Sequence, residues 1–154
     1  MKKSRGFTLL ELIVTVAIAG ILFGYAIPSM NTSIENSKVS SNAELVIGAF
    51  RYARNEAINR RVQVTVKKIA DVHEWEVVIA SGDDAGEQLK KFSPPSSGIV
   101  IKTDIGSSGI TFEGTGYRVL PATANTLKVC GVNDTGRVIT ISVSGSASME
   151  KASC

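Results

Sequence analysis

The sequence predicts an α+β protein, a long N-terminal α-helical spine (membrane anchor plus amphipathic half) packed on an antiparallel β-sandwich or two small sheets. Three observations predict it. Residues 7–27 read FTLLELIVTVAIAGILFGYAI and carry a single charge, Glu11. Val39, Ala43, Val46, Phe50, Ala53 and Ala57 then recur at spacings of four and three, as one buried stripe of a helix requires. From residue 62 onward a period of two takes over, in short runs separated by Gly- and Ser-rich turns.

The chain's 154 residues suffice for one ordinary domain. Its 44% hydrophobic and 20% charged residues and two cysteines exclude disordered, collagen-like and disulfide-dense classes. The net charge is +3, but Lys2, Lys3 and Arg5 precede residue 7, and without them 14 basic residues face 14 acidic ones. A global basic field for nucleic acid or acidic lipid is then absent.

As a helix, residues 7–27 span about 31 Å at roughly 1.5 Å per residue, the length of a membrane crossing. The cations on the N-terminal side keep that end in the cytoplasm and send the body across. A secretory signal peptide shares the basic start, and Ala17-Ile18-Ala19 offers a small-residue cleavage site. Glu11 argues against it, because a carboxylate in an apolar run costs about 2.5 to 3.5 kcal/mol at a helix centre and calls for a partner. A cut between Gly6 and Phe7 would supply one, setting a new ammonium group one helical turn from Glu11. In a stack of such helices each carboxylate neutralises a neighbour's terminus, and the desolvation penalty is offset only in the assembled register. A plain single-span anchor is the alternative. Gly20 and Gly24 have the spacing that lets helices approach closely, which is weak evidence on its own. Pro28, lacking an amide proton, is expected to kink or open the helix there.

Lys2-Lys3-Ser4-Arg5-Gly6, Phe7-Thr8-Leu9-Leu10-Glu11 and the apolar run to Pro28 resemble the class III signal of type IV prepilins and type II secretion pseudopilins. The resemblance implies that a prepilin peptidase cuts after Gly6 and methylates the amino group of Phe7. It further implies that Glu11 pairs with the Phe7 amine of an adjacent subunit, and that residues 7–28 form a filament core. The domain division follows as a leader over 1–6, a transmembrane and filament-core helix over 7–28, an amphipathic helix over 29–61 and a β-rich periplasmic domain over 62–154.

In the amphipathic half, Glu44, Arg51, Asn55 and Asn59 lie opposite the apolar stripe, and Gly48 weakens the helix by about 1 kcal/mol relative to Ala. Val62, Val64 and Val66 alternate with polar residues, and Trp75, Val77 and Ile79 alternate with Glu74, Glu76 and Val78, which reads as two half-buried strands over 62–68 and 74–79. Further strands are predicted at 88–92, 99–102, 110–113, 117–120, 127–130 and 137–143. Short strands at steady spacing indicate antiparallel meanders and not parallel βαβ units. The helix end Ala53-Arg54, Glu56-Ala57-Ile58 and Arg60, with Gly136-Arg137 near the C-terminus, resembles the GspH/FimT family of minor pilins and pseudopilins (FimT/FimU-like). A pilin-like fold and a minor rather than major subunit are what this resemblance implies.

Cys130 and Cys154 lie across the last hairpin of a domain placed in an oxidising compartment, so a disulfide is expected, with two free thiols as the alternative. Neither a CxxC nor further ligands accompany them, which disfavours redox catalysis and zinc. Arg51, Arg54, Arg60, Arg61, Lys67 and Lys68 against Glu56 form one local basic concentration. A DNA contact through Arg60, Arg61 and Arg137 is the function this could serve. A solvated or interface-pairing helix end with a Glu56–Arg60 pair is the favoured explanation of these charges. Some FimT relatives engage DNA through Gly-Arg-x-Arg, and here Gly136-Arg137-Val138-Ile139 lacks the second arginine, so nucleic acid is disfavoured as a partner. His73 is the only imidazole, and Asp83 and Asp84 have no EF-hand spacing. No catalytic residue, metal or cofactor is assigned.

The function these readings imply is that of a structural minor pilin in the initiating or tip complex of a type IV pilus. Its partners would be other major and minor pilins, prepilin peptidase and inner-membrane lipid. The alternatives are a GspH-like minor pseudopilin of a type II secretion system and a DNA-binding minor pilin for natural transformation.

Overall fold

The computed structural model describes residues 7–69, 74–93, 98–103, 105, 108–119, 125–132 and 134–154, with residues 25–29 described by backbone alone. The chain divides into two compact units, Met1–Ile34 and Glu35–Cys154. One helix, α1, runs over Leu9–Arg60, and it continues through Pro28.

In the second unit α1 buries the predicted stripe completely: Val39, Ala43, Val46, Phe50, Ala53 and Ala57 are each at most 2% exposed. Ile47 and Ala49 widen it. Among the described residues eight strands follow: β1 (Val64–Lys68), β2 (Trp75–Ile79), β3 (Gln88–Phe92), β4 (Val100–Thr103), β5 (Ile110–Phe112), β6 (Thr126–Cys130), β7 (Thr135–Ile141) and β8 (Ala147–Ser153). They form two antiparallel four-stranded sheets, ordered β3-β2-β1-β5 and β4-β6-β7-β8. The inner residues of both sheets, among them Val64, Val66, Val77, Leu127, Val129, Ile139 and Ile141, join the helical stripe in one core. Phe50 occupies its centre, with ring centroids 6.0 Å from Trp75 and 6.5 Å from Phe112. Truncating so enclosed an aromatic costs about 3 to 5 kcal/mol.

Three strand expectations need correction. The strand predicted from 62 starts at Val64, because Arg61 has a φ of 57° and turns the chain before Val62. The strand predicted over 117–120 is a single bridge, Phe112↔Arg118, with residue 120 outside the described residues. The strand predicted to reach 143 stops at Ile141, and Val143 stands exposed in the following turn. β8 was not anticipated at all. Its sequence, ASMEKAS, alternates weakly because it is an edge strand whose inward residues, Ala147 and Met149, only half-cover the core.

Candidate assembly site

The start of α1 has its own cap. Thr8 accepts a hydrogen bond on Oγ1 from the Glu11 amide at 3.3 Å and one on its carbonyl from Leu12 at 3.2 Å. Thr8 and Glu11 thus stand at the N-cap and N3 positions, the spacing of a capping box. Glu11 is exposed, and among the described residues its carboxylate meets no cation. A carboxylate in the first turn also complements the positive end of the helix dipole.

From Phe7 to Phe23 the large apolar side chains are exposed on every face, from Val14 at 48% to Phe7 at 80%. A helix apolar all round has no stable solvated state and requires lipid or other helices around it. Among the described residues no helix is long and apolar enough to cross a membrane. The apolar stretch with described side chains ends at Gly24, about 24 Å from Leu9 at roughly 1.5 Å per residue, and the 7–27 reading extends past it. A Cβ added at Gly20 or Gly24 meets nothing within 4 Å, so no contact inside the described chain uses their small size. Gly6 and its cut site lie outside the described residues.

The basic residues near the helix end divide by role. Arg54 donates from Nε to the carbonyl of Gly116 at 2.9 Å. Arg60 Nε lies 2.8 Å from Glu56, a hydrogen bond that strengthens the guanidinium's hold on its proton. Burial and the nearby Glu56 carboxylate raise the Tyr52 hydroxyl. Arg61 is exposed and lines an open recess of about 610 Å³ with Ile58, Val62, Gln63, Ser81, Glu113 and Thr115.

Arg137 sits elsewhere. It opposes Val129 and Lys151 in register, on the side of its sheet that faces the core, and its Nη1 donates to the Gly136 carbonyl at 3.0 Å. With Asn36 it lines a recess of about 360 Å³. Asn36 and Arg60 are separated by about 36 Å of helix at roughly 1.5 Å per residue. The three arginines considered for DNA therefore form no common surface, and one of them is neutralised by Glu56. Cys130 and Cys154 form a disulfide that closes a separation of 24 residues and ties the end of β8 to β6. His73 lies outside the described residues. Among the described residues no group of His, Cys, Asp and Glu could hold a metal ion.

Sequence reasoning missed two polar features. The Thr8-x-x-Glu11 spacing was available to it. Arg118, only 6% exposed, has Nε and Nη1 buried without a hydrogen-bond partner among the described residues, and no sequence signal marks it.

Two family models match the chain, one described as Type II transport protein GspH over residues 42–147 and one as a prokaryotic N-terminal methylation motif over residues 1–27. Type IV major fimbrial proteins FimA of Dichelobacter nodosus are 48% identical over 44 residues, 29% of this chain and 28% of one of theirs. Another reaches 44% over 52 residues, 33% and 32% of the two chains. The chain thus spans under a third of the length of these curated relatives. The crystal structure of the type IV minor pilin FimU of Pseudomonas aeruginosa strain PAO1 superposes with a TM-score of 0.63 and 24% identity, covering 75% of this chain and 90% of that one. The minor pseudopilin EpsH of the type 2 secretion system of Vibrio cholerae gives a TM-score of 0.59 at 12% identity, covering 74% and 97%. Both likenesses are of fold: a long N-terminal helix on two antiparallel sheets.

Proposed function

The chain belongs to the type II transport protein GspH family, and on that premise we propose that it is a structural minor pilin, not an enzyme, that assembles into a type IV pilus. Residues 7–28 anchor it in the bacterial inner membrane, residues 62–154 lie in the periplasm, and the subunit then enters the initiating or tip complex. The observation that carries this reading is an N-terminal helix exposed and apolar on every face, with a carboxylate in its first turn that meets no cation among the described residues. Such a helix is stable in lipid, and Glu11 gains a partner when a neighbour's Phe7 amine arrives in the filament. The methylation-motif match over residues 1–27 supports cleavage after Gly6.

The test is the N-terminus and fate of the native protein. Mass spectrometry should find a mature chain starting at methylated Phe7, and Gly6→Val should leave it unprocessed. Glu11→Ala should insert normally and be depleted from sheared filaments; equal incorporation contradicts the pairing role. A second reading, a minor pseudopilin of a type II secretion system, is supported by the family's description and by the 97% coverage of EpsH. Deleting the gene separates the two, since loss of surface pili favours the first and loss of exoprotein secretion the second.

A further inference from the structure

The register of β8 on β7 decides which of its backbone groups stay open. The Ser142 amide donates to the Ser146 carbonyl at 2.9 Å and the Cys154 amide to the Asp134 carbonyl at 3.1 Å. These bonds flank a ladder that runs from Ile141↔Ala147 to Thr135↔Ser153 without a register shift. Every second pair of an antiparallel ladder exchanges hydrogen bonds, so between those two ends Thr140–Ser148, Val138–Glu150 and Gly136–Ala152 are the bonded pairs. Ala147, Met149, Lys151 and Ser153 therefore turn their N–H and C=O groups away from β7. β8 is the last strand of its sheet, and among the described residues none of these groups has a hydrogen-bond partner.

The other sheet edges are blunted. β3 carries Lys90 and Lys91 and meets β2 across a register shift at Val77/Val78. β4 has four residues, and β5 has three, of which Phe112 already bridges to Arg118. β8 has seven residues and no proline, and it offers an edge about 20 Å long. The Cys130–Cys154 disulfide ties its C-terminal end to β6, so the edge is held in place before anything binds. Ala147 and Met149, on the core side of β8, are only partly buried against the core. An apolar layer is thus left unfinished along the same line on which backbone groups stay open.

We propose that the open edge of β8 receives an extended segment of a different pilin or pseudopilin subunit, which continues the β4-β6-β7-β8 sheet as a fifth strand. Open groups that alternate along a straight strand are satisfied together only by another extended backbone, and this fixes the conformation of the partner segment. Its side chains opposite Ala147 and Met149 fall on the core side, so apolar residues there complete the layer. The residues between them face outward with Ser148 and Glu150 and are polar. Lys151 stands across from Arg137 on the core-side face, and a polar or acidic residue opposite it sets the register. The inference rests on the chain being a minor subunit whose neighbours are other pilins, and it names the surface by which one of them is held.

The experiment places a photo-crosslinking amino acid at Ser148 and, separately, at Glu150 of the full-length chain in its own membrane. Both should give adducts to one segment of another pilin or pseudopilin, at positions displaced from each other by about two residues, as paired strands require. Lys151→Pro removes an amide that points to the edge and breaks no bond to β7, and it should lower both yields roughly tenfold. Lys151→Ala removes the charge, keeps the amide and should retain most of the yield. Ala147→Pro, at the first residue of the strand, repeats the block at a second open amide. The Cys130–Cys154 disulfide and a processed Phe7 terminus, assayed in each variant, report folding and maturation. Adducts only to a second copy of this chain, to unrelated proteins or to lipid, adducts from both positions to one residue, or no adduct would each overturn the proposal. So would an undiminished yield in the proline variants, or equal losses from Lys151→Ala and Lys151→Pro. A parent chain that matures and enters filaments without these adducts removes this contact alone, whereas its absence from every filament removes the subunit reading.

Discussion

Arg54 Nε and the carbonyl of Gly116, 62 positions later in the chain, are joined by a hydrogen bond of 2.9 Å. That contact locks three segments. A Cβ built at Gly145 would lie 2.2 Å from the Gly116 oxygen and 2.8 Å from Arg54 Nε, so the turn before β8 closes directly over the pair. Ser142, Ser144 and Ser146 link their hydroxyls to hold that turn, with Ser142 and Ser146 2.7 Å apart.

Arg54→Ala should therefore destabilise the fold by about 1.5 to 3 kcal/mol, the worth of a hydrogen bond with a charged donor. Arg54→Lys keeps the charge and loses the fixed geometry, and should recover less than half of that. Gly145→Ala should be at least as harmful, since Gly145 has a φ of +77° and no room for a methyl group. Chemical denaturation of the three variants checks the order.

Arg61 occupies a left-handed position, φ 57°, just past the end of α1, where glycine is the unstrained choice. Arg61→Gly should raise stability by roughly 1 kcal/mol, because among the described residues the side chain makes no bond that the strain could protect. A loss of stability would mean that the exposed guanidinium makes a contact of structural value.

The parts of the fold that could be read beforehand are those in which one local period decides the matter. The Val39–Ala57 stripe emerged complete, and β2 and β3 have essentially the predicted bounds, because a half-buried surface leaves its period in the residues that form it. β8 escaped because an edge strand with polar neighbours carries almost no period. Val62 was misplaced because the turn at Arg61 is made without glycine, the usual marker of a positive φ. The role of Arg54 was illegible, since its partner Gly116 lies 62 positions away, and nothing in the local sequence marks Arg118 as buried. Of the assembly site, the Glu11 anomaly was plain in the sequence, whereas the Thr8 cap was overlooked although its spacing was in view.

Arg118 is buried beside Phe112, with two guanidinium nitrogens unbonded among the described residues. An unpaired buried charge costs several kcal/mol, and a flexible apolar chain of similar reach removes that cost while filling the space. Arg118→Met should stabilise the protein by about 1 kcal/mol or more in thermal unfolding. Arg118→Ala should not, because it leaves a cavity.

The disulfide closes a loop of 24 residues. In the chain-entropy account such a loop contributes about 3 to 4 kcal/mol. Replacing both cysteines by serine should lower the denaturation midpoint accordingly, and hydrogen exchange should rise first along β8, whose C-terminal end the bridge holds.

Glu74 gives the fold a specific response to acid. Lys91 and Ser93 donate to its carboxylate, Ser93 at 2.9 Å, and these bonds hold its pKa below the ordinary 4.5. A carboxyl group that is more acidic folded than unfolded stabilises the protein fully above its unfolded pKa, and that contribution is lost as the pH falls through the lowered folded value. Against Glu74→Gln, the parent's advantage should be constant from neutral pH down to about pH 5, shrink through the range below 4.5 and vanish once the pH is below the folded value. The side chain is partly open to solvent, so the advantage is small and should fade in 1 M salt, where the screening length is about 3 Å. Paired unfolding curves from pH 2 to 7 at two salt concentrations measure it, and an advantage that grew toward low pH would reverse the assignment of Glu74 as the acceptor of these bonds.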